Sequence, residues 1–283
     1  AGGGSGDVGG VDGILGNGDG TGADDIATFS AGGGDAIYFE TANITTSGGD
    51  IILHGNAKGA GSADGIKLYK TTLESDTGWI SLTGTSTGDS STPNGITLQG
   101  DVATATTVTS TSGNIDITGT STNNEGFTLS TDTNVTTTDG NITITATSSS
   151  TNDISANAAT TEHAISSTNG NITINADDVA LDNITSIAAG DTLSIFTIDP
   201  TTTIGLGDGA TGILNLNNDE LGMLSAGNKI VIGEDGVQTG DMDVDLWDLS
   251  DTNFDVEFYA NDINMGGITM GTGNILVHAQ DNG

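Results

Sequence analysis

Gly140-Asn141-Ile142-Thr143-Ile144-Thr145-Ala146 is the stretch on which the fold turns. A turn pair, Gly-Asn, leads into strict alternation: Ile142, Ile144 and Ala146 share one side, Thr143 and Thr145 the other. Period-two alternation of β-branched residues is the pattern of a strand with one buried face. The phrase recurs as Gly49-Asp50-Ile51-Ile52-Leu53, Gly78-Trp79-Ile80-Ser81-Leu82, Gly113-Asn114-Ile115-Asp116-Ile117, Gly170-Asn171-Ile172-Thr173-Ile174 and Gly273-Asn274-Ile275-Leu276-Val277. From Ile51 through Ile80, Ile115, Ile142 and Ile172 the steps are 29, 35, 27 and 30 residues. Self-similarity at that period with variable spacers reads as a solenoid.

Two more strands fill each repeat. One is carried by Ile37/Phe39, Ile66/Leu68, Ile96/Leu98 and Phe127/Leu129, at steps of 29, 30 and 31; the other centres on Ile44, Leu73, Val102 and Val135. A less regular coil uses Ile165 and Ile172/Ile174, and the next uses Val179/Leu181, Ile184/Ile187 and Leu193/Ile195. Residues 86–94, 104–112 and 148–161 read as Ser/Thr/Asn/Gly loops bulging between strands. The expectation is an all-β parallel β-helix, with three short strands per coil of roughly 30 residues. Five or six buried aliphatic side chains contribute about 10 kcal/mol per coil. Ordering the backbone of one coil costs several times that, so a coil folds only when stacked. Stacking also explains the turn residue: carboxylates ~4.8 Å apart repel by about 1 kcal/mol in water, whereas Asn amides hydrogen-bond up a column. Asn114, Asn141, Asn171 and Asn274 occupy that place, with Asp50 and Trp79 as exceptions.

The whole chain, 1–283, reads as one elongated domain: Gly/Asp-rich entry coils at 1–35, regular repeats at 36–195 and irregular coils at 196–283. Ile204/Leu206 and Leu214/Leu216 continue the strands. Asn217-Asn218-Asp219-Glu220-Leu221 carries a helix cap and early acids, so one short helix is expected near 218–226. Strands resume at Ile230/Ile232, Val244/Leu246 and Val256/Phe258, and the last phrase, through His278, echoes the one through His54.

The composition limits function. Gly is 45 of 283 residues, Pro 2 and Cys 0, and aromatics are only 4%. With 38 acids against 4 Lys and no Arg, the formal charge is −34, which repels nucleic-acid backbones and anionic lipid heads. No apolar run reaches the ~18 residues of a membrane span. The same charge suits hard cations such as Ca²⁺. Gly-x-Asp-x-Ile copies at Asp12, Asp24 and Asp35, and a near match to a Ca²⁺-binding nonapeptide from Asp19 to Ala27, make Asp19, Asp24 and Asp35 candidate Ca²⁺ ligands. Their spacing of 12 and 11, where a calcium roll needs nine, favours ordinary turns.

Catalysis finds little support. Asp177-Asp178 and Asp24-Asp25 are adjacent carboxylates, but neighbours on a strand face opposite ways. Lys58, Lys67, Lys70 and Lys229 lie in plain contexts, His54 and His278 are repeat equivalents, and His163 reads as a loop residue. Trp79, Trp247 and Tyr69 are candidates for stacking on sugars. Outward Thr83, Thr118, Thr143 and Thr173 raise an ice-binding reading, which Asp116 and Ile52 interrupt.

The Gly-Asn-Ile-x-Ile-x-Ala phrases, Thr41-Ala42-Asn43-Ile44-Thr45-Thr46, and the Leu-Asn-Leu-x-x-x-Glu-Leu unit from Leu214 to Leu221 resemble filamentous-haemagglutinin-like repeat proteins, which are bacterial surface and secreted exoproteins. The resemblance spans 25–280. It implies a right-handed β-helix, export, and an adhesive or structural role at the bacterial cell surface. The expected function is a non-catalytic extracellular scaffold: a segment of a filament, sheath or adhesin. It would associate head-to-tail or continue within a longer β-helix, with glycans or cell-surface receptors as partners. The alternative is a carbohydrate-binding or polysaccharide-degrading β-helix.

Overall fold

A computed structural model describes residues 26–31, 34–58, 61–88, 92–149, 152–156 and 163–280, with side chains from residue 34 onward. The three strands of each repeat stack on their equivalents into separate parallel sheets. A ten-stranded sheet runs from Ile26–Ala31 through Ile51–Ala57, Ile80–Ser86, Ile115–Ser121, Ile142–Ser148 and Ile172–Asn175 to Ile275–Ala279. A six-stranded sheet runs from Ile37–Glu40 to Val179–Ala180, and a seven-stranded one from Asn43–Thr46 to Leu224–Ala226. The expected rungs are in register: Ile80, Ile115, Ile142 and Ile172 pair in succession, all parallel. The chain is a parallel β-helix.

Its interior is a set of aliphatic columns. Ile115, Ile117, Phe127, Leu129 and Val135, which form one coil, are each no more than 1% exposed. Full burial of one such side chain stabilises by about 1.5–3 kcal/mol, and each is shared with the coils on both sides.

The corner leading into each Gly-Asn-Ile phrase is built from two further columns. Ser110, Thr137 and Ser167 end strands of the seven-stranded sheet with buried hydroxyls. Each accepts from the N–H of the glycine three residues on: Gly113 at 2.9 Å, Gly140 at 3.1 Å and Gly170 at 2.9 Å. The Ser167 hydroxyl also donates to the Gly140 carbonyl one coil away, at 2.8 Å. These glycines stack so closely that a Cβ on Gly113, Gly140 or Gly170 would collide with the carbonyl of the glycine beneath it. Close approach, and not a left-handed backbone, is what requires glycine here. Left-handed residues mark another corner, between the second and third strands, where Thr41, Lys70 and Thr131 have φ of 53°, 51° and 52°. A β-branched residue there stores strain.

Several expectations are corrected. Val102 is 79% exposed in a turn closed by Asp101 and Thr104, and Val108 takes the third-strand position in register with Leu73 and Val135. Segment 104–112 therefore holds the strand Thr106–Ser110; its one aliphatic residue among hydroxyls hid it. Likewise 148–161 contains Ile154–Ala156, paired with Phe127–Leu129. The helix spans Asn218–Gly222 under an Asn217/Glu220 capping box, and Leu224–Ala226 has already returned to strand. Leu246 points outward at 66% exposure, because the strand Met242–Leu249 shifts its alternation after Asp245 and buries Trp247 and Leu249.

That strand belongs to a fourth, four-stranded sheet ordered Leu214–Leu216, Ile204–Leu206, Met242–Leu249 and Ile263–Met270. In these coils the winding shortens: the Asn274 N–H reaches Asp255 Oδ1 across 19 residues, where Asn141 reaches Asn114 across 27.

Candidate functional site

Of the candidate Ca²⁺ ligands, Asp19 and Asp24 lie outside the described residues, as does Asp25. Asp35 stands at the turn before a strand of the six-stranded sheet, and its Oδ1 accepts the Asp64 N–H at 2.8 Å. Asp64 Oδ1 accepts the Asn94 N–H at 2.8 Å, and Asn94 Oδ1 accepts from Asn124 Nδ2 at 2.6 Å. The carboxylate is thus the lower half of a coil-to-coil bond. Among the described residues no group of three or more His, Asp or Glu is arranged to hold a metal ion.

Burial pushes Asp64 up to about 6, against the lowering effect of its bonds to Asn94 and Thr97. The folded state therefore binds this proton more tightly than the unfolded chain. Stability is gained as pH falls through 6, and above it the ionised group is a cost. Asn94 performs the same task one coil on without charge. Asp64→Asn is expected to raise stability at pH 7.5 by about 1–3 kcal/mol, a gain that fades toward pH 4. Urea titrations at the two pH values measure it; a loss of stability at pH 7.5 would contradict this account.

The Gly-Asn ladder follows the same rule. Asn141 and Asn171 donate backbone N–H groups to Asn114 Oδ1 (2.9 Å) and Asn141 Oδ1 (2.8 Å). Trp79 donates likewise to Asp50 at 2.7 Å. Only an acceptor is required of the side chain below, so Asp50 and Asp255 serve as well as Asn.

Asp177 and Asp178 meet a third carboxylate that sequence reasoning missed. Asp153, 3% exposed, accepts their N–H groups on Oδ2 at 2.6 and 3.3 Å, and the Ser148 N–H on Oδ1. Asp177 Oδ1 in turn accepts from Ile198, Asp199 and Thr202, each at 2.9 Å. Burial raises Asp153 above the ordinary carboxylate range, and burial with the nearby Asp153 charge raises Asp178. Glu220, also raised by burial, bridges Leu181 N at 2.6 Å and Asn217 N at 2.9 Å. Backbone donors and the Thr202 hydroxyl occupy these oxygens, and Asp153, Asp177 and Glu220 work as brackets between coils.

His163 is no loop residue. It opens the strand His163–Ser167, is fully buried, and lies one coil beyond Thr133, whose Oγ1 is 2.7 Å from its Nδ1. Its Nε2 has no hydrogen-bond partner, and burial lowers its pKa. It extends an interior column that includes Thr106 and Thr133. His54 and His278 both sit on the outer face of the ten-stranded sheet, His278 3.3 Å from Asp235 and edge-on to Tyr259. The three candidate aromatics do not converge: Trp247 is buried against Phe258, Trp79 is half exposed at a turn, and Tyr69 lies under the Lys70 ammonium. Lys70 pairs with Asp101 and Lys229 with Glu257.

One surface stands apart. In the last coil Ile275, Val277 and Ala279 follow Val256, Phe258 and Ala260 in register. The earlier three are 0% exposed, whereas Ile275 and Val277 are 37% and 42% exposed. Met265, beside them in the fourth sheet, is 38% exposed. The interior columns thus run out onto an apolar rung flanked by strand edges. A shallow groove nearby is lined by Thr203, Thr211, Asp241, Asp243, Asp262 and Asn264. There Asp243 is held by Thr211 and Asn264, and Asp241 by Asn261 and Asp262. No helix among the described residues is long and apolar enough to cross a membrane. Comparison of the chain with family models, with curated proteins and with solved structures returns no match.

Proposed function

We propose that the chain is a non-catalytic β-solenoid scaffold, a segment of an extracellular filament, sheath or adhesin at a bacterial surface. The observation that carries this reading is the apolar rung of Ile275, Val277 and Met265, inward-facing positions that no further coil covers among the described residues. An exposed strand edge is a template for another strand, and solenoid coils are stabilised by their neighbours. The chemistry that satisfies this rung is a further coil with aliphatic inward residues, supplied by a second copy or by a longer winding. Consumption of the turn carboxylates in coil-to-coil bonds supports a structural role.

In sedimentation velocity the chain should associate with rising concentration into elongated particles, visible as lengthening rods by negative stain. Val277→Asp places a charge on the rung and should return the chain to a single species with its fold retained. A native chain that stays monomeric across the accessible concentration range would overturn the proposal.

A further inference from the structure

The register of the ten-stranded sheet rearranges the outward threonines. Thr83, Thr118 and Thr145 form one column and Thr85, Thr120 and Thr147 the next, while Thr143 and Thr173 stack with Ser81 and Asp116 in a third. Asp116 therefore interrupts neither of the first two. Between those columns the inward positions are Gly84, Gly119 and Ala146, so three successive strands read Thr-Gly-Thr, Thr-Gly-Thr and Thr-Ala-Thr. Both strand pairs hold seven consecutive partners with no bulge, so the six threonines keep one register across three neighbouring strands.

We infer that this six-threonine grid binds the surface of ice. Neighbouring strands space its hydroxyls by about 4.8 Å, and alternate residues along a strand by about 6.6 Å. The first repeat lies close to the shorter oxygen repeat of the prism face of hexagonal ice, and the second falls about a tenth short of the longer one. Threonine offers a hydroxyl and a methyl on a side chain stiff at χ1, so little freedom is lost on docking. The grid carries no carboxylate although the chain holds 38 acids, which fits a neutral lattice. Its hydroxyls are also available. The threonines of the seven-stranded sheet bond one another, Thr107 to Thr72 at 3.2 Å and Thr109 to Thr136 at 3.3 Å. Among the described residues Thr83, Thr85, Thr118, Thr120 and Thr147 bond no protein group through their hydroxyls, and Thr145 accepts only from Asn175 at 3.1 Å.

The inference stands apart from the scaffold reading and is tested on the intact chain by ice-crystal shaping and recrystallisation inhibition. The native chain should facet growing crystals and arrest recrystallisation. Thr118→Tyr, at the middle of the grid, should lose both while melting normally; Thr120→Lys makes the same test if the tyrosine variant fails to fold. Thr109→Tyr, on the bonded threonine face, should retain both. Round, unshaped crystals with the native chain overturn the inference, as does activity undiminished in a folded grid variant. Retention on microcrystalline cellulose without ice shaping assigns the grid to a carbohydrate lattice and overturns it equally.

Discussion

Gly140→Ala should destabilise the chain by about 3 kcal/mol or more, because the added methyl meets backbone and not a side chain that can swing away. The obstacle is the Gly113 carbonyl in the coil beneath, and the Thr137 hydroxyl that caps the same turn closes the other side. Relief would require lifting one coil off another, breaking the Asn114–Asn141 bond and the strand pairing beyond it. Gly222, in the short helix, has nothing within 4 Å of where its Cβ would stand. Gly222→Ala should therefore be neutral or stabilising by up to about 1 kcal/mol. Chemical denaturation of both variants measures the contrast. Equal effects would mean that the glycine column is not a stacking device.

Phe127→Ala is the second large effect, expected at about 3–5 kcal/mol. Phe127 is fully buried between Ile96 and Ile154, its in-register partners in the adjacent coils. Neither isoleucine can follow the lost ring inward, since each is fixed by strand pairing to a further coil. The void stays open, and its cost adds to the lost transfer energy. Because a solenoid couples mainly neighbour to neighbour, hydrogen exchange should rise first in the strands around residues 96–99, 127–130 and 154–156. Uniform loss of protection along the chain would contradict that picture.

The winding was legible because its strongest signal is repeated: Gly, then an acceptor side chain, then alternating Ile. Val108 and Ile154 escaped because each stands alone among polar residues, Thr107 and Thr109 beside the first and Asp153 and Ser155 beside the second. Ser110 and Thr137 face inward and spend their hydroxyls on the corners, and Thr133 turns its hydroxyl to His163, so polarity at those positions does not mean exposure. His163 was misplaced for the same reason; its alignment with Thr133 appears only once the rungs are paired. Read from sequence, the ladder of Asn114, Asn141 and Asn171 implies amide-to-amide bonding. The structure instead makes backbone N–H the main donor, with one Asn171–Asn141 side-chain bond at 3.2 Å beside it. Threonine columns drawn from sequence mixed two registers, since the step from Ile115 to Ile142 places Thr145, and not Thr143, over Thr118. Asp153 gave little local signal: only the Ser148 N–H is near in sequence, and its other two donors come from residues 24 and 25 positions later.

The shared interior is tested most directly by backbone proton contacts in the NMR spectrum of the folded chain. Ile115 should show contacts to Ile80 on one side and Ile142 on the other, Ile142 to Ile172, and every pair in the parallel pattern. Antiparallel contacts among these four residues, or their absence between successive phrases, would contradict the stacked winding and the scaffold built on it.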